Sequence, residues 1–127
     1  MKKEILTLEY PFNNASSAFL WKVIGTPLGL AEWFADGVTV KGDEYTFSWE
    51  NNDQTALLQQ LKIGKLIRFQ WEEDAKTDAY FQIEINTDDL SGKVTLIITD
   101  FATADDKQDV MMLWDKQIEI LKRKNGI

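Results

Sequence analysis

The sequence predicts an α+β fold in which a curved antiparallel sheet of six to seven strands wraps around a long C-terminal helix, with two short helices after the first strand. Short segments in which apolar and polar residues alternate follow one another between positions 38 and 100, and turn residues separate them at regular intervals. A single apolar stripe with helical spacing then occupies positions 110–121. All 127 residues are expected to form one domain.

The first element is expected to be a strand, followed by a helix. Positions 5–10 alternate as a strand does, and Pro11 is expected to end that strand. Asn14 or Ser16 can cap the helix that follows, because a short side-chain oxygen accepts hydrogen bonds from the free amides of a first helical turn.

Six further strands are predicted in the middle of the chain. They are expected at positions 38–41, 44–50, 55–63, 66–73, 79–86 and 93–100. The short turns between them favour antiparallel hairpins that follow one another in a meander. Their alternation indicates a sheet with one buried face and one solvent-exposed face.

The C-terminal helix is predicted to be the longest element. Thr103 and Asp106 resemble a capping box at its start, with aspartate in place of the usual glutamate. Its apolar stripe consists of Val110, Leu113, Trp114, Ile118 and Leu121. Packing this stripe on the concave face of the sheet buries both apolar surfaces, and a twisted sheet readily leaves a gap beneath a straight helix.

Aromatic residues on the expected inner face are candidates for the wall of such a cavity. These residues are Phe47, Trp49, Phe69, Trp71 and Phe81 on the strands, with Trp114 on the C-terminal helix. Aromatic side chains commonly line ligand pockets, although the same pattern is also typical of a fully packed core. Tyr10, Tyr45 or Gln82 could orient a ligand through its polar groups.

A second short helix is predicted from Thr26 and Pro27, since threonine caps helices well and proline suits the first helical position. Trp33 and Phe34 end this helix before a glycine turn and are candidates for the mouth of the cavity. They would act there as a gate, or alternatively as a plug that fixes the short helix to the sheet.

Composition excludes several classes of function. The formal net charge of −7 disfavours nucleic acid and anionic membrane surfaces as partners. The chain contains no cysteine and no histidine, which excludes disulfides, thiol nucleophiles, Ser-His-Asp triads and the usual zinc sites. We expect no cofactor and no metal. No apolar run approaches the roughly 20 residues of a transmembrane helix, so a cytoplasmic location is expected.

Residues 19–34, and above all the segment T-P-L-G-L-A-E-W-F at positions 26–34, resemble the START-like, or helix-grip, superfamily. Within it, the chain is most similar to the group that includes the C-terminal domain of the heat-shock-protein ATPase activator. The inward-facing Trp114 of the last helix is also similar. The resemblance implies a cavity between the sheet and the C-terminal helix, and it implies no single activity.

Three functions therefore remain open. The first is binding of a small hydrophobic or amphipathic ligand, such as a lipid, in the cavity. The second is an accessory role in which the domain binds a chaperone or another protein partner. The third is a cyclase-like enzyme that uses a buried carboxylate or tyrosine. A filled interior with an exposed apolar patch would favour the accessory role, and an open cavity with a buried carboxylate would favour the enzyme. The oligomeric state is left open.

Overall fold

The computed structural model describes residues 2–127. The strands are β1 (Glu4–Phe12), β2 (Gly37–Lys41), β3 (Glu44–Trp49), β4 (Asn52–Lys62), β5 (Leu66–Trp71), β6 (Phe81–Thr87) and β7 (Val94–Ala102). The helices are α1 (Ser17–Ile24), α2 (Pro27–Trp33) and α3 (Lys107–Asn125), with a short 3-10 turn at Glu72–Asp74. No helix in this part of the chain is both long enough and apolar enough to cross a bilayer.

The strands form one antiparallel sheet in the order β1-β7-β6-β5-β4-β3-β2. Strands β2 to β7 make an uninterrupted meander, and β1 pairs with β7 at the opposite edge from β2. The two short helices therefore carry the chain from one edge of the sheet to the other. This arrangement confirms the predicted α+β fold, including the long C-terminal helix and the two short helices after the first strand.

Several strand boundaries differ from the predicted ones by two or three residues. Strand β1 continues through Pro11 to Phe12, and it does so because β1 is an edge strand, where a missing amide donor is tolerated. Strand β4 begins at Asn52, three residues early, and carries an irregularity between Leu58 and Gln60. Strand β5 ends at Trp71, because the next three residues form the 3-10 turn.

The inner face of the sheet and one face of α3 enclose the core, as the alternation predicts. The largest fully buried side chains on the strands are Phe47, Ile67, Phe69, Phe81, Ile83, Leu96 and Ile98. Helix α3 meets them chiefly through Ile118 and Leu121, which retain almost no exposed surface. The C-terminal half of α3 is thus the part of the helix whose inward face is most completely buried.

A tight corner joins α1 to α2. The Thr26 hydroxyl donates to the Lys22 carbonyl at 2.6 Å and accepts from the Gly29 amide at 3.0 Å. The Trp33 ring nitrogen donates to the Val23 carbonyl at 2.8 Å, which gives one of the last carbonyls of α1 a partner. Much of the segment at positions 26–34 therefore serves to hold two short helices against each other.

Two helix caps settle points that the sequence left open. Ser16, and not Asn14, caps α1, because its hydroxyl accepts from the Phe19 amide at 3.1 Å. Thr103 accepts from the Asp106 amide at 3.3 Å, which is the first half of a capping box. This bond closes a turn that precedes α3, so the regular helix begins one turn later than predicted.

The close approach of α1 and α2 at Gly29 predicts that alanine at this position destabilises the protein. Alanine normally stabilises a helix by about 1 kcal/mol relative to glycine, but a Cβ here would lie 2.1 Å from the Lys22 carbonyl oxygen. We expect Gly29→Ala to lower the free energy of unfolding by about 1–3 kcal/mol in urea titrations, as overpacking does. Gly37→Ala is the control, since its new methyl would meet nothing closer than Ser48 Cβ at 3.7 Å. An unchanged midpoint for Gly29→Ala would contradict this account.

Candidate functional site

A cavity of about 360 Å³ lies between one end of the sheet and the N-terminal half of α3. It is lined by Phe34, Trp49, Asn52, Gln54, Trp71, Phe81, Asp100, Val110, Leu113, Trp114 and Gln117. Strands β3, β5 and β7 end here and β4 and β6 begin here, so each contributes residues from its terminus. The volume falls within the range of small-molecule pockets.

The apolar stripe of α3 is less completely buried at this end of the helix than at the other. Ile118 and Leu121 in the second half of the helix are buried, whereas Leu113 in the first half is 58% exposed. Val110, one turn before Trp114, is half-buried against the cavity. The inward face of α3 is therefore buried in its second half and borders the cavity in its first half.

Aromatic rings form most of the wall, and Phe34 is central among them. Its ring stacks on Phe81 at 5.5 Å between centroids and lies 5.7 Å from Trp114. Phe81 in turn stacks on Trp71 at 4.9 Å, and Trp71 lies 6.4 Å from Trp49. These flat surfaces present a continuous apolar face to the cavity.

The structure brings together some of the predicted wall residues and separates others. Trp49, Trp71, Phe81 and Trp114 line the cavity. Phe47 and Phe69 do not, because they occupy mid-strand positions behind these rings and have no exposed surface.

The two candidate mouth residues also have different positions. Phe34 belongs to the wall and covers Phe47, with the ring centroids 5.0 Å apart. Trp33 points away into the α1–α2 corner, where it is 4% exposed and bonded to Val23. Only Phe34 of this pair therefore contacts the cavity.

One backbone carbonyl holds three elements of the wall in place. The Phe34 oxygen accepts from the Trp49 ring nitrogen at 3.2 Å and from the Gln117 side-chain nitrogen at 2.9 Å. A carbonyl oxygen has two lone pairs, so both bonds can form together. The end of α2 is thereby tied to β3 on one side and to α3 on the other.

Asp100 is the charged residue of the cavity lining, and the sequence analysis did not single it out. It follows Leu96 and Ile98 on the inward-facing positions of β7, so the period-two count already placed it inside. Its Oδ2 accepts from the Trp114 ring nitrogen at 2.8 Å, and its Oδ1 accepts from the Phe101 amide at 2.7 Å. Burial raises the pKa of the Asp100 carboxyl, although both hydrogen bonds oppose that shift.

Gln117 is the second polar group that faces the cavity from within. Because the Phe34 carbonyl can only accept, the Gln117 amide must turn its nitrogen toward it. The Gln117 oxygen is then an acceptor on the other side of the amide. Both inner polar groups of the cavity, this amide and the Asp100 carboxylate, consequently offer acceptors.

The polar residues that the sequence suggested as ligand contacts lie elsewhere. Gln82 accepts from Arg68 at 2.8 Å on the outer face of the sheet. Tyr10 donates to Asp115 at 2.6 Å, and burial together with this carboxylate raises the pKa of Tyr10. Tyr45 is buried within the core. None of them lines the cavity.

The family model of the START-like superfamily domain matches residues 1–127. The chain belongs to the START-like superfamily. A comparison with curated proteins gives no match. Among solved structures, this START-like domain is similar to BfR322 from Bacteroides fragilis, an NMR structure, with 38% identity and a TM-score of 0.70. The match covers 100% of this chain and 94% of that one.

Two further structures share the fold at low identity. The Aha1 dimer from Colwellia psychrerythraea is 14% identical with a TM-score of 0.76, over 94% of this chain and 93% of that one. DynU16, from the dynemicin biosynthetic locus, is 12% identical with a TM-score of 0.77, over 96% of this chain and 47% of that one. The relation of this START-like domain to Aha1 is therefore distant and shows the fold alone.

The environment of Asp100 predicts how the stability of this START-like domain depends on pH. Burial favours the neutral carboxyl, so the folded chain binds this proton more tightly than the unfolded chain, whose ordinary pKa is 3.8. The stabilisation that comes from the neutral Asp100 carboxyl is complete below pH 3.8, and it is lost as the pH rises through the higher pKa of the folded state.

We therefore expect the free energy of unfolding of Asp100→Asn, measured in urea, to increase relative to that of the parent protein as the pH rises from 4 to 7. Asp109→Asn, which removes an exposed charge from α3, controls for net charge. A difference between Asp100→Asn and the parent that shrinks with rising pH would show that the ionised carboxylate is the favoured form.

Proposed function

We propose that this START-like domain binds a small apolar or amphipathic molecule in the cavity between the sheet and α3. The observation that supports the proposal is a space of about 360 Å³ between the sheet and α3 that is walled chiefly by aromatic rings. The superfamily to which the chain belongs commonly binds hydrophobic ligands. The cavity therefore fits the common property of its family.

The wall is suited to binding because its rings are already held in place. Trp49 and Trp114 each donate a ring hydrogen bond to a fixed acceptor, and Phe34 is packed between Phe81 and Trp114. A preformed wall reduces the entropy that binding would otherwise cost. Burial of about 200 Å² of apolar ligand surface would contribute on the order of 5 kcal/mol.

Access to the cavity is proposed to lie beside the first turns of α3. Leu113 lines the cavity and is 58% exposed, so the cavity is partly open to solvent beside this side chain. A ligand that enters here would leave the buried second half of the helix undisturbed. In this arrangement Phe34 is part of the wall, and Trp33 fixes α2 in place.

A second candidate function, a cyclase-like enzyme, is favoured by Asp100, since a carboxylate inside an apolar cavity is a potential acid or base. The other polar lining groups, Asn52, Gln54 and Gln117, are neutral amides that do not transfer protons. A catalytic cycle usually needs a second group to return the proton. We therefore propose binding as the primary function, which an enzyme would also require.

Native mass spectrometry of the purified protein, followed by organic extraction, tests whether a ligand is bound. A co-purifying apolar compound would support the proposal and identify its chemical class. A clean apo mass together with no thermal shift in a library of lipids and aromatic compounds would count against it. That result would direct attention to a protein partner instead.

A cavity-filling substitution tests the location of the site. Val110→Trp places an indole inside the cavity from a half-buried position, so we expect it to weaken binding of 1-naphthylmethanol at least tenfold in isothermal titration calorimetry. Met112→Trp is the matched control, because Met112 lies on the same helix outside the cavity lining. Equal affinity for both variants, at similar melting temperatures, would place the site elsewhere.

A further inference from the structure

The lining of the cavity contains an acidic side chain and no basic one. Among its eleven lining residues, Asp100 is ionisable as an acid and none is lysine or arginine. The remaining polar side chains are the neutral amides Asn52, Gln54 and Gln117. A ligand carboxylate or phosphate in this space would therefore meet a like charge and no compensating cation.

Asp100 retains the capacity to bind a ligand donor. A carboxylate has about four lone-pair sites, and the bonds from Trp114 and Phe101 use one on each oxygen. Asp100 also borders the cavity, so its remaining sites are accessible from that space. Gln117 also lines the cavity, and its amide oxygen takes no part in the bond to Phe34.

Lys3 is the basic residue that acts on the Asp100 carboxyl, and it does not neutralise this carboxyl. Lys3 and Asp74 are the other charged groups that act on the Asp100 carboxyl, and they act with opposite sign. Lys3 is committed to Asp74, with its amine 2.9 Å and 3.1 Å from the two carboxylate oxygens. Neither residue lines the cavity.

The aromatic wall of the cavity also favours a positively charged ligand. The faces of tryptophan rings attract cations, most strongly where water is excluded. Trp49, Trp71 and Trp114 all border the cavity that Asp100 borders. The net charge of −7 also raises the local concentration of cations around the protein.

We propose that the cavity selects amphipathic amines, whose flat apolar body packs against the aromatic wall while the protonated amine donates to Asp100. This inference rests on the proposed ligand-binding function and names the class of ligand. It also gives Asp100 a role as a binding residue. The partly desolvated carboxylate gains a counter-ion when such a ligand enters.

Three probes that share a naphthalene body test this selectivity. They are 1-naphthylmethylamine, which is cationic at pH 7, 1-naphthylmethanol, which is neutral, and 1-naphthoic acid, which is anionic. Isothermal titration calorimetry should give the amine at least tenfold higher affinity than the alcohol, and the acid the lowest affinity. In two-dimensional NMR spectra, the indole N–H resonance of Trp114 should shift on amine binding, because that group is bonded to Asp100.

Variants and pH separate the carboxylate from general charge attraction. Asp100→Asn should remove at least fivefold of the preference for the amine over the alcohol, because a neutral amide gives the protonated amine no counter-ion. Asp109→Asn, which removes an exposed charge on the same helix as Trp114, should keep the full preference. In the parent protein, amine affinity should rise between pH 4 and pH 7 as Asp100 ionises, so the inference can be tested even where the asparagine variant is poorly folded.

The outcomes distinguish this inference from the proposed function. If the acid binds as tightly as the amine, or if Asp109→Asn and Asp100→Asn lose the preference equally, selectivity for amines is overturned and ligand binding survives. If none of the three probes binds at millimolar concentration, the proposed function fails together with the inference. A tenfold preference that depends on Asp100 supports both.

Discussion

The fold and the cavity both depend on Phe34, which ends α2. Its ring covers Phe47 and stacks on Phe81, while its carbonyl oxygen receives hydrogen bonds from β3 and α3 through Trp49 and Gln117. Phe34 therefore joins the end of α2 both to the sheet and to α3. The corner between α1 and α2 then determines where Phe34 lies, because Thr26 and Gly29 set the approach of the two helices.

Sequence patterns specify the sheet well because its period of two is a local property. The alternation along each strand assigns inner and outer faces without knowledge of the neighbouring strands. Strand ends are less predictable, and Pro11 illustrates why. Its place inside β1 depends on that strand being at the edge of the sheet, which only the pairing of β1 with β7 reveals.

The site is harder to predict, since residues on one face of a strand differ in what covers them. Phe69 and Trp71 share a face of β5, yet only Trp71 reaches the cavity, because Phe69 is enclosed by the rings of Tyr45, Phe47 and Phe81. Asp100 could have been found from its inward position on β7. The orientation of Gln117 could not, because it depends on the Phe34 carbonyl across the interior.

The inward face of α3 is buried in its second half and borders the cavity in its first half, and this difference has an evolutionary consequence. Buried residues away from the cavity, such as Phe47 and Phe69, lie at mid-strand, whereas residues that face the cavity lie at strand termini and in the first half of α3. The exposed members of the second set, Asn52, Gln54 and Leu113, can be substituted with little loss of stability, whereas Phe81 and Trp114 also belong to the core. The rim of the cavity can therefore change in the course of evolution while the aromatic core and the fold are retained.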